Sequence, residues 1–170
     1  MSHLNIEIKA KSLELDRIRD ILKSNNADFK GIDHQIDTYF KVNSGRLKLR
    51  EGNIENHLIY YEREDKSGPK KSLVVLYKYN PDQSLKEILT RSLGVLAVVN
   101  KLREIYFIDN VKFHLDNVKG LGYFVEIEAI DEDGSIGSEK LHEQCKHYLK
   151  LLNISKEDLL ENSYSDLVLR

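Results

Sequence analysis

The sequence predicts an α+β fold of about eight antiparallel strands with a few helices outside them. Three observations lead there. Segments near 3–11, 34–43, 45–52, 56–65, 71–79, 97–108, 110–117 and 122–131 alternate in character with the period of two that strands require. Short breakers, "DKSGPK" (65–70), "NPD" (80–82) and "DEDGS" (131–135), punctuate them as turns do. The polar faces of the strands are charged, and the charges are sorted by sign.

Helical periodicity is confined to a few stretches. "SLELDRIRDILKSNN" places Leu13, Ile18, Ile21 and Leu22 near helical spacing, with Ser12 as the candidate N-cap. "DQSLKEILTRSLG" ends on Gly94, a residue suited to helix termination. "SEKLHEQCKHYLKLLN" gathers Leu141, Cys145, Tyr148, Leu149 and Leu152 on one side. "SKEDLLENSY" is expected to form a short fourth helix capped by Ser155, and the tail "NSYSDLVLR" to fold over an opening so that Tyr164, Leu167 and Val168 find cover.

The strand faces carry the functional signal. Glu7 and Lys9 share a face of "LNIEIKAK", and Arg46, Lys48 and Arg50 share one of "GRLKLRE". Ile59, Tyr61, Arg63 and Asp65 lie together, as do Val99, Lys101, Arg103 and Ile105. Lys112, His114 and Asp116 form another such set, and Phe124, Glu126 and Glu128 the last. A plain antiparallel sheet with one wet face accounts for any single strand. Solvated faces usually mix signs, because opposite charges paired across strands are favourable; here "RLKLR" is basic and "EIE" acidic. Closing the sheet into a barrel turns the charged faces inward, with the apolar faces under amphipathic helices. Such a lumen is costly unless a ligand balances it. A polyanion on the basic wall, with a divalent cation on the carboxylates, balances both halves.

The gross composition narrows the partners. The chain of 170 residues carries a net charge of −2, so no general affinity for nucleic acid or anionic membrane is expected. One cysteine leaves no internal disulfide and suits a reducing compartment. The start "MSHLNIEIKAK" has no apolar signal core, and no run approaches the ~20 apolar residues of a membrane span. A cytoplasmic protein of one domain, residues 1–170, is the expectation.

Six ordered strings carry a family resemblance: "NIEIK" (5–9), "DTYF" (37–40), "GRLKLRE" (45–51), "LIYYERED" (58–65), "NKLRE" (100–104) and "HLDNVKGLGYFVEIE" (114–128). Together they resemble the CYTH superfamily, the triphosphate tunnel metalloenzymes, and the last string looks most like the class IV adenylyl cyclase branch. The resemblance implies a closed eight-stranded antiparallel β-barrel, a tunnel with a charged interior and helices packed outside. It implies Mg²⁺ or Mn²⁺ held by Glu7, Glu126 and Glu128, with Asp116 as a further ligand. It also implies a triphosphate, ATP or an inorganic or organic triphosphate, neutralised by Lys9, Lys48, Arg50, Arg63, Lys101, Arg103 and Lys112. Of these, Lys9, Arg63 and Lys101 are the implied catalytic cations. Class IV cyclases are dimers, so a homodimer is implied too. Asn5 departs from the family pattern, which places an acid there; an amide brings no charge to a second metal.

Two reactions follow from one bound triphosphate. Attack of the ribose 3′-hydroxyl on the α-phosphorus of ATP yields cyclic AMP and pyrophosphate; attack of water makes a triphosphatase. A non-catalytic polyphosphate-binding module and an oligonucleotide-binding barrel are the competing classes. The acidic "EIE" strand opposes the second. His114 beside a carboxylate reads as structural, Cys145 as core, and Tyr39 and Tyr61 either as ligand contacts or as packing at the barrel rim. Gly120 and Gly122 read as turn residues, since no P-loop pattern surrounds them.

Overall fold

The computed structural model describes residues 2–170. Eight strands run β1 (Ser2–Lys11), β2 (Asp28–Phe40), β3 (Arg46–Glu51), β4 (His57–Arg63), β5 (Lys70–Lys78), β6 (Val95–Ile108), β7 (Val111–Val118) and β8 (Gly122–Asp131). They close in the order β1-β5-β4-β3-β2-β6-β7-β8, every neighbouring pair antiparallel. Two meanders, β2–β5 and β6–β8, are therefore joined by β1 and by the long β2–β6 ladder.

Four helices lie outside: α1 (Leu15–Ser24), α2 (Gln83–Leu93), α3 (Ser138–Leu151) and α4 (Tyr164–Val168). The outward residues of β1, β7 and β8, among them Ile6, Ile8, Phe113 and Ile127, form the main core with Ile18 and Leu22 of α1 and Leu141 and Cys145 of α3. The Cys145 thiol donates to the Ile6 carbonyl at 3.1 Å. Burial pushes that thiol up to about 12, so it is inert packing rather than a nucleophile.

Local chemistry explains most boundaries. Asp82 caps α2 by accepting from the Ser84 amide, and Gly94 ends the helix at φ 79°. Ser12 instead accepts from the Glu14 amide, so α1 starts later than the Ser12 cap predicts, with Glu14 in the N-cap position. β2 begins at Asp28, earlier than expected, because a bulge between Phe29 and Gly31 interrupts the alternation there. The fourth helix also differs. Ser155 caps only a 3₁₀ turn over Lys156–Asp158, whereas the continuous helix is α4, where Ser163 and Asp166 make a capping box.

Burial sets the expected response to substitution. Leu141 is fully buried while Leu13 is 95% exposed. In urea denaturation, Leu141→Ala is expected to cost about 2–5 kcal/mol, and Leu13→Ala to stay within about 0.5 kcal/mol of the wild type.

Candidate active site

Closure gives the charged faces one destination. Glu7, Lys9, Lys48, Arg50, Arg63, Lys101, Arg103, Lys112, Glu126 and Glu128 all line one internal cavity of about 540 Å³. Asp116 is buried beside it on β7, tied to Arg103. The period-two reading of these strand faces therefore holds in every strand that carries them.

One end of the cavity is closed by the C-terminal segment. The Tyr164 hydroxyl donates to Asp116 at 2.7 Å, and the Lys9 ammonium sits 3.6 Å from the centre of the Tyr164 ring. Phe124 meets the same ring edge-on. The Leu160 amide donates to the Lys9 carbonyl, Lys70 donates to the Leu160 carbonyl, and Arg63 to the Glu161 carbonyl. The expectation that the tail covers an opening is met in part by α4: Tyr164 is driven inward and Leu167 packs beside it, whereas Val168 stays exposed.

The lumen is more nearly neutral than strand-by-strand sorting suggests. Asp37 accepts both halves of the Arg50 fork at 2.9 Å and the Lys101 ammonium at 2.7 Å, with Lys48 3.4 Å away. These cations hold its carboxyl well below the usual range against the opposing effect of burial. Glu55, from the loop between β3 and β4, pairs with Arg50 at 3.0 Å and with Lys112. That loop is held by Asp33, whose buried carboxylate accepts from the amides of Asn53, Ile54 and Glu55. Sequence reading passed over Asp37, Glu55 and Asp33. Asp37 shares the inward parity of Tyr39 in "IDTYF" and was visible there; Glu55 lies outside any strand and gives no periodic signal.

The acidic wall is unevenly compensated. Glu126 lies 3.6 Å from Lys9 and 3.2 Å from Arg103, and its carboxyl is held well below the usual range. Glu7 pairs with Arg63 at 3.1 Å. Glu128 differs: burial pushes its carboxyl up, the nearby Glu7 and Glu126 carboxylates add to that, and Asn5 is its hydrogen-bond donor, at 2.8 Å. Glu7 and Glu128 stand directly opposite in the β1–β8 register. Asp116 is already engaged, taking two short bonds from Arg103 (2.7 and 2.6 Å) besides that from Tyr164.

Burial also tunes the bases. Lys101, fully enclosed and close to Arg50 and Arg103, is lowered to about 7 despite Asp37. His114 is lowered to about 3 by burial and Arg103, so it is neutral near pH 7. Its Nδ1 lies 3.6 Å from Glu126, beyond hydrogen-bond range. Among the described residues, no three acidic, histidine or cysteine side chains already converge as a ready-made metal cage. No described helix is long and apolar enough to cross a membrane.

An eight-stranded antiparallel tunnel, one end capped and the lumen lined by opposed charges, defines the class of fold. Residues 3–164 match the CYTH domain, and the chain belongs to that family. It is 27% identical over 179 residues to a Methanocaldococcus jannaschii protein provisionally named an adenylate cyclase, across 96% of this chain and 98% of the other. A solved Vibrio parahaemolyticus structure, also provisionally an adenylate cyclase, superposes with a TM-score of 0.80 at 16% identity over the whole of both chains. A Hippeastrum structure, provisionally an adenylyl cyclase and described as having a dominant triphosphatase activity, superposes at 0.58 with 12% identity. It covers 95% of this chain and 91% of its own. At these identities the two structures bear on the fold alone.

Asp37 is the expected weak point of the unliganded lumen. Asp37→Asn leaves Lys101 and Lys48 without their carboxylate and Arg50 with Glu55 alone, and a loss of about 3–5 kcal/mol in denaturant unfolding is expected. The depressed carboxyl fixes the pH dependence. Its stabilisation is complete above the unfolded value of about 3.9 and fades as pH falls toward the folded one. The variant should lack that part of the acid slope.

Proposed function

We propose that this chain is a divalent-metal-dependent enzyme that acts on a triphosphate bound in the tunnel. The observation that carries this reading is the meeting of two walls in one lumen. Lys9, Lys48, Arg50, Arg63, Lys101 and Arg103 face inward together, and Glu7 and Glu128 oppose each other as like charges across adjacent strands. Like charges directly opposite are destabilising, and the Glu128 carboxyl, raised first by burial, is raised further by Glu7. A cation between them relieves it.

The donor set suits a hard ion. Glu7, Glu126 and Glu128 offer oxygen only, which fits Mg²⁺ or Mn²⁺, and Mg²⁺ normally takes one or two carboxylates with phosphate oxygens and water completing its shell. A ready-made cage is therefore not required. When bound, the cation would neutralise phosphate charge and lower the barrier to attack at phosphorus. In this reading Asp116 serves chiefly to hold Arg103.

The chain's own groups supply positioning and fixed charge, which dominate phosphoryl transfer. Arginine forks match phosphate oxygens in geometry, and lysines act as point charges. Binding exchanges partners: the phosphates take over cations that Asp37, Glu55 and Glu126 hold in the unliganded protein. Ile59, Val74 and Leu76 give the β4–β5 wall an apolar patch, which suits an organic group on the triphosphate. The cyclase reading, ATP to cyclic AMP and pyrophosphate, stands first, supported by that patch and by the name of the M. jannaschii relative. The triphosphatase reading stands second, because the tunnel grips the triphosphate shared by both substrates.

The test is ³¹P NMR of products from ATP and from inorganic triphosphate, each with Mg²⁺ or Mn²⁺. Cyclic AMP with pyrophosphate is expected from ATP; orthophosphate moves the protein to the triphosphatases, and no product from either contradicts the enzyme reading. Glu128→Ala should remove metal-dependent turnover while leaving a folded protein.

Binding should also move protons. Lys101, at about 7, is largely uncharged at pH 8, and a neighbouring polyanion favours its charged form. Triphosphate binding at pH 8 should therefore take up protons, read from calorimetry in buffers of different ionisation heat, and Lys101→Met should reduce that uptake. Absence of uptake in the wild type would place Lys101 away from the phosphates.

A further inference from the structure

Among the described residues, three buried polar atoms on neighbouring strands have no hydrogen-bond partner: Asn5 Oδ1 on β1, Ser72 Oγ on β5 and Arg63 Nε on β4. Ser72 is the register partner of Asn5 on one side and of Arg63 on the other. Side chains directly opposite in antiparallel strands share a face about 5 Å apart, so the three form a row across the wall. Asn5 and Ser72 are 2% and 1% exposed, and the Arg63 side chain 3%. All three line the tunnel cavity. Unpaired polar atoms so enclosed are rare in folded proteins, and each calls for a partner.

The polarity of the row selects that partner. Asn5 Nδ2 is committed to Glu128, which leaves Oδ1 as the free end, an acceptor only. Arg63 donates from one terminal nitrogen to Glu7 and from the other to the Glu161 carbonyl, so Nε is its nitrogen without a partner, a donor only. The Ser72 hydroxyl can do either. An ionised phosphate oxygen accepts from Arg63 and Ser72 but has nothing to donate to Asn5. A hydroxyl group or a water can accept from a donor of the row and also donate to Asn5 Oδ1, which an ionised phosphate oxygen cannot. Through Asn5 and Arg63 the row also adjoins Glu128 and Glu7, the opposed carboxylates of the acidic wall.

We propose that the Asn5–Ser72–Arg63 row holds the hydroxylic nucleophile of the phosphoryl transfer, a refinement that rests on the triphosphate reading above. In hydrolysis the oxygen of the held water bonds to the terminal phosphorus while the bond from that phosphorus to the bridging oxygen breaks. The bridging oxygen keeps the electron pair, and the two protons of water end one on each product. In cyclisation the held group is the ribose 3′-hydroxyl: its oxygen bonds to the α-phosphorus, and pyrophosphate leaves with the electron pair and the proton. Asn5 accepts a hydrogen bond in both and takes no proton, so a neutral amide serves where an acid would add a charge to the already crowded Glu7–Glu128 pair.

Ser72→Ala and Asn5→Leu test the row, with folding checked by thermal unfolding and tripolyphosphate–Mg²⁺ affinity read by calorimetry independently of turnover. Each variant is expected to lose about tenfold to a hundredfold in kcat, the scale of a misplaced reactant, with affinity within about twofold of the wild type. A crystal structure of the wild type with Mg²⁺ should show an ordered oxygen within hydrogen-bond distance of Asn5 Oδ1 and Ser72 Oγ, lost in Ser72→Ala. If Asn5→Leu does not fold, Ser72→Ala carries the test alone. Parallel loss of affinity and kcat would make the row a phosphate subsite and overturn the proposal, as would unchanged kcat in an active background. A wild type inert toward both ATP and tripolyphosphate would overturn the triphosphate reading and the nucleophile assignment with it, an outcome distinct from failure of the variants alone.

Discussion

The pairing of β1 with β8 is the contact on which the rest of the molecule depends. It closes the sheet, and closure commits alternate side chains of every strand to one lumen. The same ladder sets Lys9 against Glu126 and Glu7 against Glu128, one pair of opposite sign and one of like sign. The first pair is mutually stabilising; the second sets two carboxylates side by side with Arg63 beside Glu7 alone. An open sheet with the same residues would solvate both and would have no reason to sort its charges.

Seen from that constraint, the internal carboxylates have a double use. Charged groups taken from water need partners, and Asp37, Glu55 and Asp116 provide them before any substrate arrives. A tunnel without them would hold a dense block of unpaired cations and fold poorly. A tunnel in which those pairs could not be exchanged would not bind phosphate. Burial lowers Lys101 and raises Glu128 more than their opposite-sign neighbours offset, and the two lie on different walls of the same cavity. Arg103 stands apart, fixed on two sides by Asp116 and Glu126, with Tyr164 bracing Asp116 from the capped end.

Much of this was legible in the sequence because a strand announces its two faces through simple alternation. "IEIK", "RLKLR", "KLR" and "EIE" each showed which residues would turn inward, and the apolar partners Ile6, Leu49 and Ile127 are buried on the opposite face as alternation requires. What alternation cannot show is pairing across strands. Ser72 reads as one more small polar residue until register sets it between Asn5 and Arg63. Glu55 reaches the lumen only because Asp33 gathers three loop amides, a long-range tie with no local signature. The tail misled in another way: "SKEDLLENSY" has helical composition, but Leu160 donates its amide to Lys9 instead of continuing a helix, and the helix forms only after Ser163 can cap it.

In the proposed function, the two walls of the lumen are complementary to a metal–triphosphate complex. A crystal structure grown with Mg²⁺ and a non-hydrolysable ATP analogue tests it most directly. The account predicts the triphosphate inside the tunnel, against Lys48, Arg50, Lys101 and Arg103, with the cation between it and the carboxylates of Glu7 and Glu128. A lumen that keeps its internal ion pairs while the analogue sits on the outer surface, or binds nowhere, would contradict it.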